Sequence, residues 1–167
     1  MNGSSSVIEA YHLQKEECAI QDRDEMTRLL KAGRYAVIAL CRNNVPYITT
    51  LSYGYDESRH ALYFHSAING LKLEILQENP AVCATVIEDR GYQAGECAHA
   101  YRSVLLFGRM HRCTTLEEKK HGMNIMLEQL EENPEPIRQR SLASEKVYQR
   151  TAILKLAIDE MTGKEGS

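Results

Sequence analysis

"YFHSAINGLKLEIL" (residues 63–76) joins two local signals that do not belong to one element. Tyr63 and Phe64 end an aromatic, extended run that closes on the polar pair His65-Ser66. Gly70 then opens a helical segment with Lys72 in its first turn, and Asn79-Pro80 ends it. A helix N-terminus carries unpaired amides and a partial positive charge, which together attract phosphate. Gly70 admits close approach of the backbone, Lys72 adds a full charge, and Ser66 offers a hydroxyl. A plain strand-to-helix turn with a solvated lysine accounts for the same residues, so the segment alone leaves both readings open.

Outward from this segment the period is that of strands. "YAVIALC" (35–41), "VPYITTLSYGY" (45–55) and "HALYFHSA" (60–67) are rich in β-branched and aromatic residues. The links Arg42-Asn43-Asn44 and Asp56-Glu57-Ser58-Arg59 are short and polar, which predicts antiparallel hairpins. Further along, "AVCATVIED" (81–89), "AYRSVLLFGRMHRC" (100–113) and "AILKLAIDEMTGK" (152–164) read as three more strands, with a bulge at Gly108. Two longer helices flank them. "QDRDEMTRLLKAGRY" carries Asp22 and Glu25 in a capping-box spacing and stops at Gly33; the other is "TLEEKKHGMNIMLEQLEE" (115–132). "NPEPIRQRSLAS" is a Pro-rich polar link. Six mostly antiparallel strands with helices at the ends predict a mainly β fold with α, a six-stranded closed barrel in one domain. That domain spans 21–167, and residues 1–20 form an extension, with "MNGSSS" expected to be disordered.

A chain of 167 residues buries a core without staples. A net charge of -3 and a pI near 6.1 argue against a nucleic-acid or acidic-membrane binder. The apolar runs are too short to span a bilayer, and the N-terminus lacks the pattern of a secretory signal, so a cytoplasmic protein is expected. Five cysteines in such a chain read as reduced thiols. "CAH" (97–99) and "HRC" (111–113) carry metal-ligand residue types. Extended strand between His99 and His111 holds them on the order of 40 Å apart, whereas zinc ligands lie about 2.3 Å from one ion. A zinc site is rejected.

Two further patterns suggest ligand contact. Arg102 shares a strand face with Val104 and Leu106, where an unpaired guanidinium is costly; it needs an anionic partner, either a carboxylate of this chain or a ligand phosphate. In "PYITTLSYGY", Tyr47, Thr49, Leu51 and Tyr53 share one face and Ile48, Thr50, Ser52 and Gly54 the other. Such a strand can read the edge of a planar heterocycle, and ordinary sheet packing explains it equally well. His65 is the histidine set inside the candidate site. No nucleophile elbow, zinc-protease or P-loop pattern occurs.

In this order and spacing, "AGRYAVIAL", "PYITTLSYGYD", "LYFHSAINGLKLEIL" with "NP" behind it, "YRSVLLFGRM" and "ILKLAIDEMTGK" resemble the pyridoxamine 5'-phosphate oxidase-like split-barrel flavoproteins. The resemblance runs from about residue 22 to 164 and is nearest the branch containing nitroimidazole-resistance proteins. It implies a homodimer of six-stranded split barrels with one FMN in each of two interface clefts. It implies that the strand carrying Tyr47, Thr49, Thr50, Leu51 and Ser52 faces the isoalloxazine. His65, Ser66, Gly70 and Lys72 then lie near the ribityl phosphate, and Arg102 and Ser103 also reach the cofactor, with the partner subunit as a candidate source. Related barrels hold haem or a deazaflavin instead. The chain has no Trp, which departs from the Trp- and Arg-rich substrate segment of the oxidases and argues against pyridoxamine phosphate as substrate. The resemblance implies an oxidoreductase passing electrons from a nicotinamide donor to a small acceptor, a nitroaromatic among the candidates; a haem or flavin carrier or sensor without turnover is the alternative.

Overall fold

The computed structural model describes residues 16–166; most of the expected N-terminal extension lies outside them. A 3-10 turn (Glu16–Cys18) precedes β1 (Ala19–Ile20), α1 (Arg23–Ala32), β2 (Tyr35–Arg42), β3 (Val45–Asp56), β4 (Ala61–Ser66) and α2 (Leu71–Glu78). There follow β5 (Ala81–Gln93), β6 (Ala98–Arg112), α3 (Leu116–Leu130), α4 (Glu135–Ser141), α5 (Glu145–Arg150) and β7 (Ala152–Gly166). All strand pairs are antiparallel, in the order β1-β7-β4-β3-β2-β5-β6, and β6 also pairs with β7. That last pairing closes six strands into a ring, with β1 as an appendage on β7.

Turn chemistry starts the ring. Asn43 and Asn44 adopt φ of 52° and 62°, the left-handed pair that gives a two-residue hairpin the twist of its strands. The register then fixes the barrel's shape. One row of neighbours runs from Ser103 through Ile87, and the same ladders, continued by one or two residues, carry it on through Tyr35, Ser52 and His65 to Ile153. From Ile153 it returns to β6 at Cys113, whose N–H donates to the Ile153 carbonyl. The row comes home ten residues along the strand from where it left, so the strands are steeply tilted. Gly108 is the expected bulge: the β6–β7 register slips between Phe107 and Gly108.

Two cores result. Inside the ring lie Ile38, Leu40, Tyr53, Leu62, Phe64, Leu106, Met110, Leu154 and Leu156, with Leu29 and Leu30 of α1 and Ile75 and Leu76 of α2 closing in on them. Outside the ring, α3 lays Met126 on Ala61, Tyr63, Cys113 and Ile153. Gln129 clamps this helix. Its amide donates to the Leu30 and Gly33 carbonyls at 3.1 and 2.7 Å, and its oxygen accepts from the Tyr55 N–H at 2.8 Å. Replacing Gln129 by leucine strands these backbone groups and is expected to cost about 1–3 kcal/mol, read as a lower thermal midpoint.

The structure revises the sequence expectations in three places. The link 133–150 holds α4 and α5, short polar helices that bury little beyond Tyr148. Strands β5 and β6 extend beyond their predicted ends into a solvent-exposed hairpin turning at 94–97. The capping box does not form. The Asp22 side chain accepts from Asp24 N, while Glu25 is drawn away to Arg102, where a full charge outcompetes a backbone amide. No helix among the described residues is long and apolar enough to cross a membrane.

Candidate functional site

The helix that begins the site is held from its far end. Asn79, just past α2, donates to the Cys41 carbonyl at 2.9 Å and accepts from Ala81 N, and the Pro80 carbonyl accepts from Met110 N at 2.8 Å. With Ile75 and Leu76 buried in the ring, α2 cannot swing, so its first turn is presented at a fixed place beside the end of β4.

That first turn is chemically open. Gly70 is the N-cap at φ 136°, a conformation that favours glycine, with no side-chain cap and nothing within 4 Å of where a Cβ would stand. The N–H groups of Leu73 and Glu74 bond the Gly70 carbonyl, while those of Leu71 and Lys72 have no acceptor within the helix. Lys72 is half-buried, forms no ion pair with any described residue, and burial pushes its ammonium below the ordinary lysine range. Ser66 likewise makes no side-chain hydrogen bond to a described residue. A desolvated cation and free amides without an anion have the character of a phosphate cradle, and these residues fit one.

The remaining candidates divide between the two faces of the sheet. Tyr47, Thr49 and Leu51 turn toward the ring's interior, where Tyr47 and Leu51 pack on the core beside Leu73. Thr50 and Ser52 turn outward and are exposed. Ser52, His65 and Ser103 stand on the single row traced round the barrel, and Tyr35 and Ile87 fill the places between Ser52 and Ser103. Ser103 is three strands from Ser52, on the order of 14 Å across the sheet. Ser66, the residue after His65 in β4, falls by alternation on the inward face with Phe64, while His65 stands outward with Ser52 and Ser103.

Arg102 is not part of that group. It points to the opposite face from Ser103, its guanidinium 2.5 Å from Glu25 and 3.0 Å from Glu165. Of the two anionic partners the sequence left open, carboxylates of this chain hold it. Of the two Cys/His pairs, His99 bonds Asp89 at 2.8 Å and Cys113 is buried under α3.

Sequence reasoning missed the apolar outer surface. Tyr35 (58% exposed) and Ile87 (55%) stand on the row, and Ile48 (65%) shares their outward face further along β3. Its signal was there: "YAVIALC" is apolar on both strand faces, as a strand covered on both sides requires. On the outside, α3 packs on β3, β4 and β7, its backbone meeting β3 at Gly54, and among the described residues no helix covers the outer face of β2 and β5. An apolar face of this kind marks a contact surface.

The family model for pyridoxamine 5'-phosphate oxidase matches residues 22–165. No curated protein matches the chain. Among solved structures, a candidate 5-nitroimidazole antibiotic resistance protein from Bacteroides thetaiotaomicron superposes with a TM-score of 0.76 at 23% identity, covering 89% of this chain and 86% of its own. A flavocytochrome from Azotobacter vinelandii gives 0.77 at 22%, covering 91% and 71%. An FAD- and haem-binding protein from Mycobacterium smegmatis gives 0.74 at 21%, covering 89% and 73%. At these identities the likenesses show the fold, the split barrel.

Proposed function

We propose that this chain, which belongs to the pyridoxamine 5'-phosphate oxidase family, binds FMN against the outward row of its barrel and works as a redox flavoprotein. Lys72 carries the reading: a half-buried ammonium at the uncapped start of α2, with no ion pair to any described residue. The phosphate would rest on Lys72, Ser66 and the Leu71 and Lys72 amides. The ring system would lie along Thr50 and Ser52, with His65 at its edge. Bound flavin supplies hydride and single-electron chemistry, and the protein's share is to orient it and keep water away. The proposed reaction passes electrons from a nicotinamide donor to a small acceptor, with nitroaromatics as the class to test.

A second copy of the chain would complete the cleft. The row is walled on one flank by α3 and is open on the other, where the apolar surface around Tyr35, Ile48 and Ile87 begins. Covering that surface and enclosing the flavin are one event in this reading, and Ser103 would serve the partner's site from across the interface. Dimerisation is read by sedimentation, with Ile48→Glu expected to yield monomer and lose FMN together.

Haem is the competing cofactor, favoured by one observation: the exposed His65 imidazole has no described partner and is a ready axial ligand. An absorption spectrum of purified protein, apo or reconstituted, decides. Flavin bands and a higher thermal midpoint with added FMN support the proposal. A Soret band that moves in His65→Ala replaces it with haem, and colourless protein indifferent to FMN, haem and deazaflavin overturns both.

A further inference from the structure

Along α2, from its N-cap to Pro80, lies a second opening, a cleft of about 720 Å³. Gly70, Leu73, Glu74 and Gln77 follow the helical repeat along one wall. Lys72 is not among the residues that line this space. The floor is apolar, made by Leu76 and Leu154 with Pro80 beside them, and the far wall is His111 and Arg112 at the end of β6. The volume is in the range of small-molecule pockets, and an apolar floor beneath a few convergent polar groups is their usual construction.

Two charged side chains line this cleft, Arg112 and Glu74, and they differ in how they are partnered. Arg112 is paired in the sheet with Leu154, which sets its side chain at the cleft's edge, and it makes no ion pair or hydrogen bond with any described residue. The carboxylate across from it, Glu74, lies 3.7 Å from Arg42, which also reaches Glu78 at 3.3 Å. One guanidinium is therefore left free to take an anion in its planar fork. Glu74 is still a negative group on the opposite wall, and it disfavours a second charge on the ligand.

We propose that this cleft is a binding site for a small monocarboxylate with an aromatic or branched apolar body. Arg112 holds the carboxylate with His111 beside it, and the apolar body lies on Leu73, Leu76 and Leu154. Gly70 borders both this cleft and the proposed phosphate cradle, but the side chains that would hold the carboxylate and the apolar body, Arg112, Leu73, Leu76 and Leu154, are none of those assigned to the flavin, so the assignment stands apart from the cofactor's identity.

The test is calorimetry with 2-naphthoate. Arg112 holds no other described residue, so Arg112→Gln is expected to fold as the wild type does, and a thermal melt checks this. Expected are saturable one-to-one binding, a loss of about tenfold or more in Arg112→Gln, and a similar loss with neutral 2-naphthamide. Lys72→Ala and saturating FMN leave the affinity unchanged. No binding at millimolar naphthoate overturns the proposal, as does equal affinity in Arg112→Gln. Loss of binding in Lys72→Ala, or tighter binding of the dianionic 2-naphthyl phosphate, overturns it too.

Discussion

Replacing Lys72 by alanine raises the dissociation constant for FMN by roughly ten- to 150-fold, the equivalent of the 1.5–3 kcal/mol carried by a charged hydrogen bond. The argument is electrostatic. Lys72 is held partly out of water with no carboxylate among the described residues to offset the loss, and burial lowers its affinity for its proton. A phosphate arriving there regains for the ammonium the favourable environment that folding removed. The pH dependence has a fixed sign: the protonated lysine is the binding form, so affinity falls as pH rises through the depressed pKa of the free protein, which lies below 10.5. Alanine removes this alkaline limb as well as the affinity. The fold and the apolar outer face are untouched, because Lys72 contributes to neither. Titration calorimetry on Lys72→Ala showing wild-type affinity would remove the phosphate from α2 and with it the placement of the flavin.

The strands and their hairpins were legible because their signals are local: alternating branched and aromatic residues, Asn43-Asn44, and a glycine at 108. The turn from β4 into α2 was legible for the same reason, since Gly70, Lys72 and Asn79-Pro80 lie within ten residues of one another. What the sequence left open depends on pairs far apart. Arg102 was recognised as needing an anion, but its two carboxylates, Glu25 and Glu165, come from opposite ends of the chain. The alternation in 47–54 was also read, yet period two does not say which face is inside. Here both faces mix apolar and hydroxyl side chains, so the division between Tyr47, Thr49, Leu51 and Thr50, Ser52 appears only when the ring is closed. Short polar helices such as α4 carry too little apolar periodicity to be told from a link. The cleft beside Arg112 was invisible for another reason. "HRC" drew attention as a metal motif, while the wall that gives Arg112 its meaning comes from α2, over thirty residues earlier.

The other large effect is expected at Gly54, where the penalty is steric. A Cβ added there would stand 2.6 Å from the Ile125 carbonyl carbon and the Met126 nitrogen and 2.7 Å from the Ile125 oxygen. All three atoms belong to the backbone of α3, so no side chain can rotate aside to relieve the contact. The helix cannot slide freely either: Gln129 ties it to Leu30, Gly33 and Tyr55, and the Arg34 guanidinium donates to the Leu130 carbonyl at 2.8 Å. Gly54→Ala must therefore lift α3 from β3 and loosen the outer core of Tyr63, Met126 and Ile153. Overpacking of this kind costs about 1–3 kcal/mol. For a domain of this length, that lowers the melting midpoint by roughly 3–10 °C. Gly70→Ala makes the contrast, since the same added methyl meets open space and the strain there is in φ alone. Because α3 walls the flank of the outward row next to His65, Gly54→Ala also weakens FMN binding while Lys72 stays in place. An unchanged midpoint would mean that α3 does not sit on Gly54, and the wall assigned to the site would have to come from elsewhere.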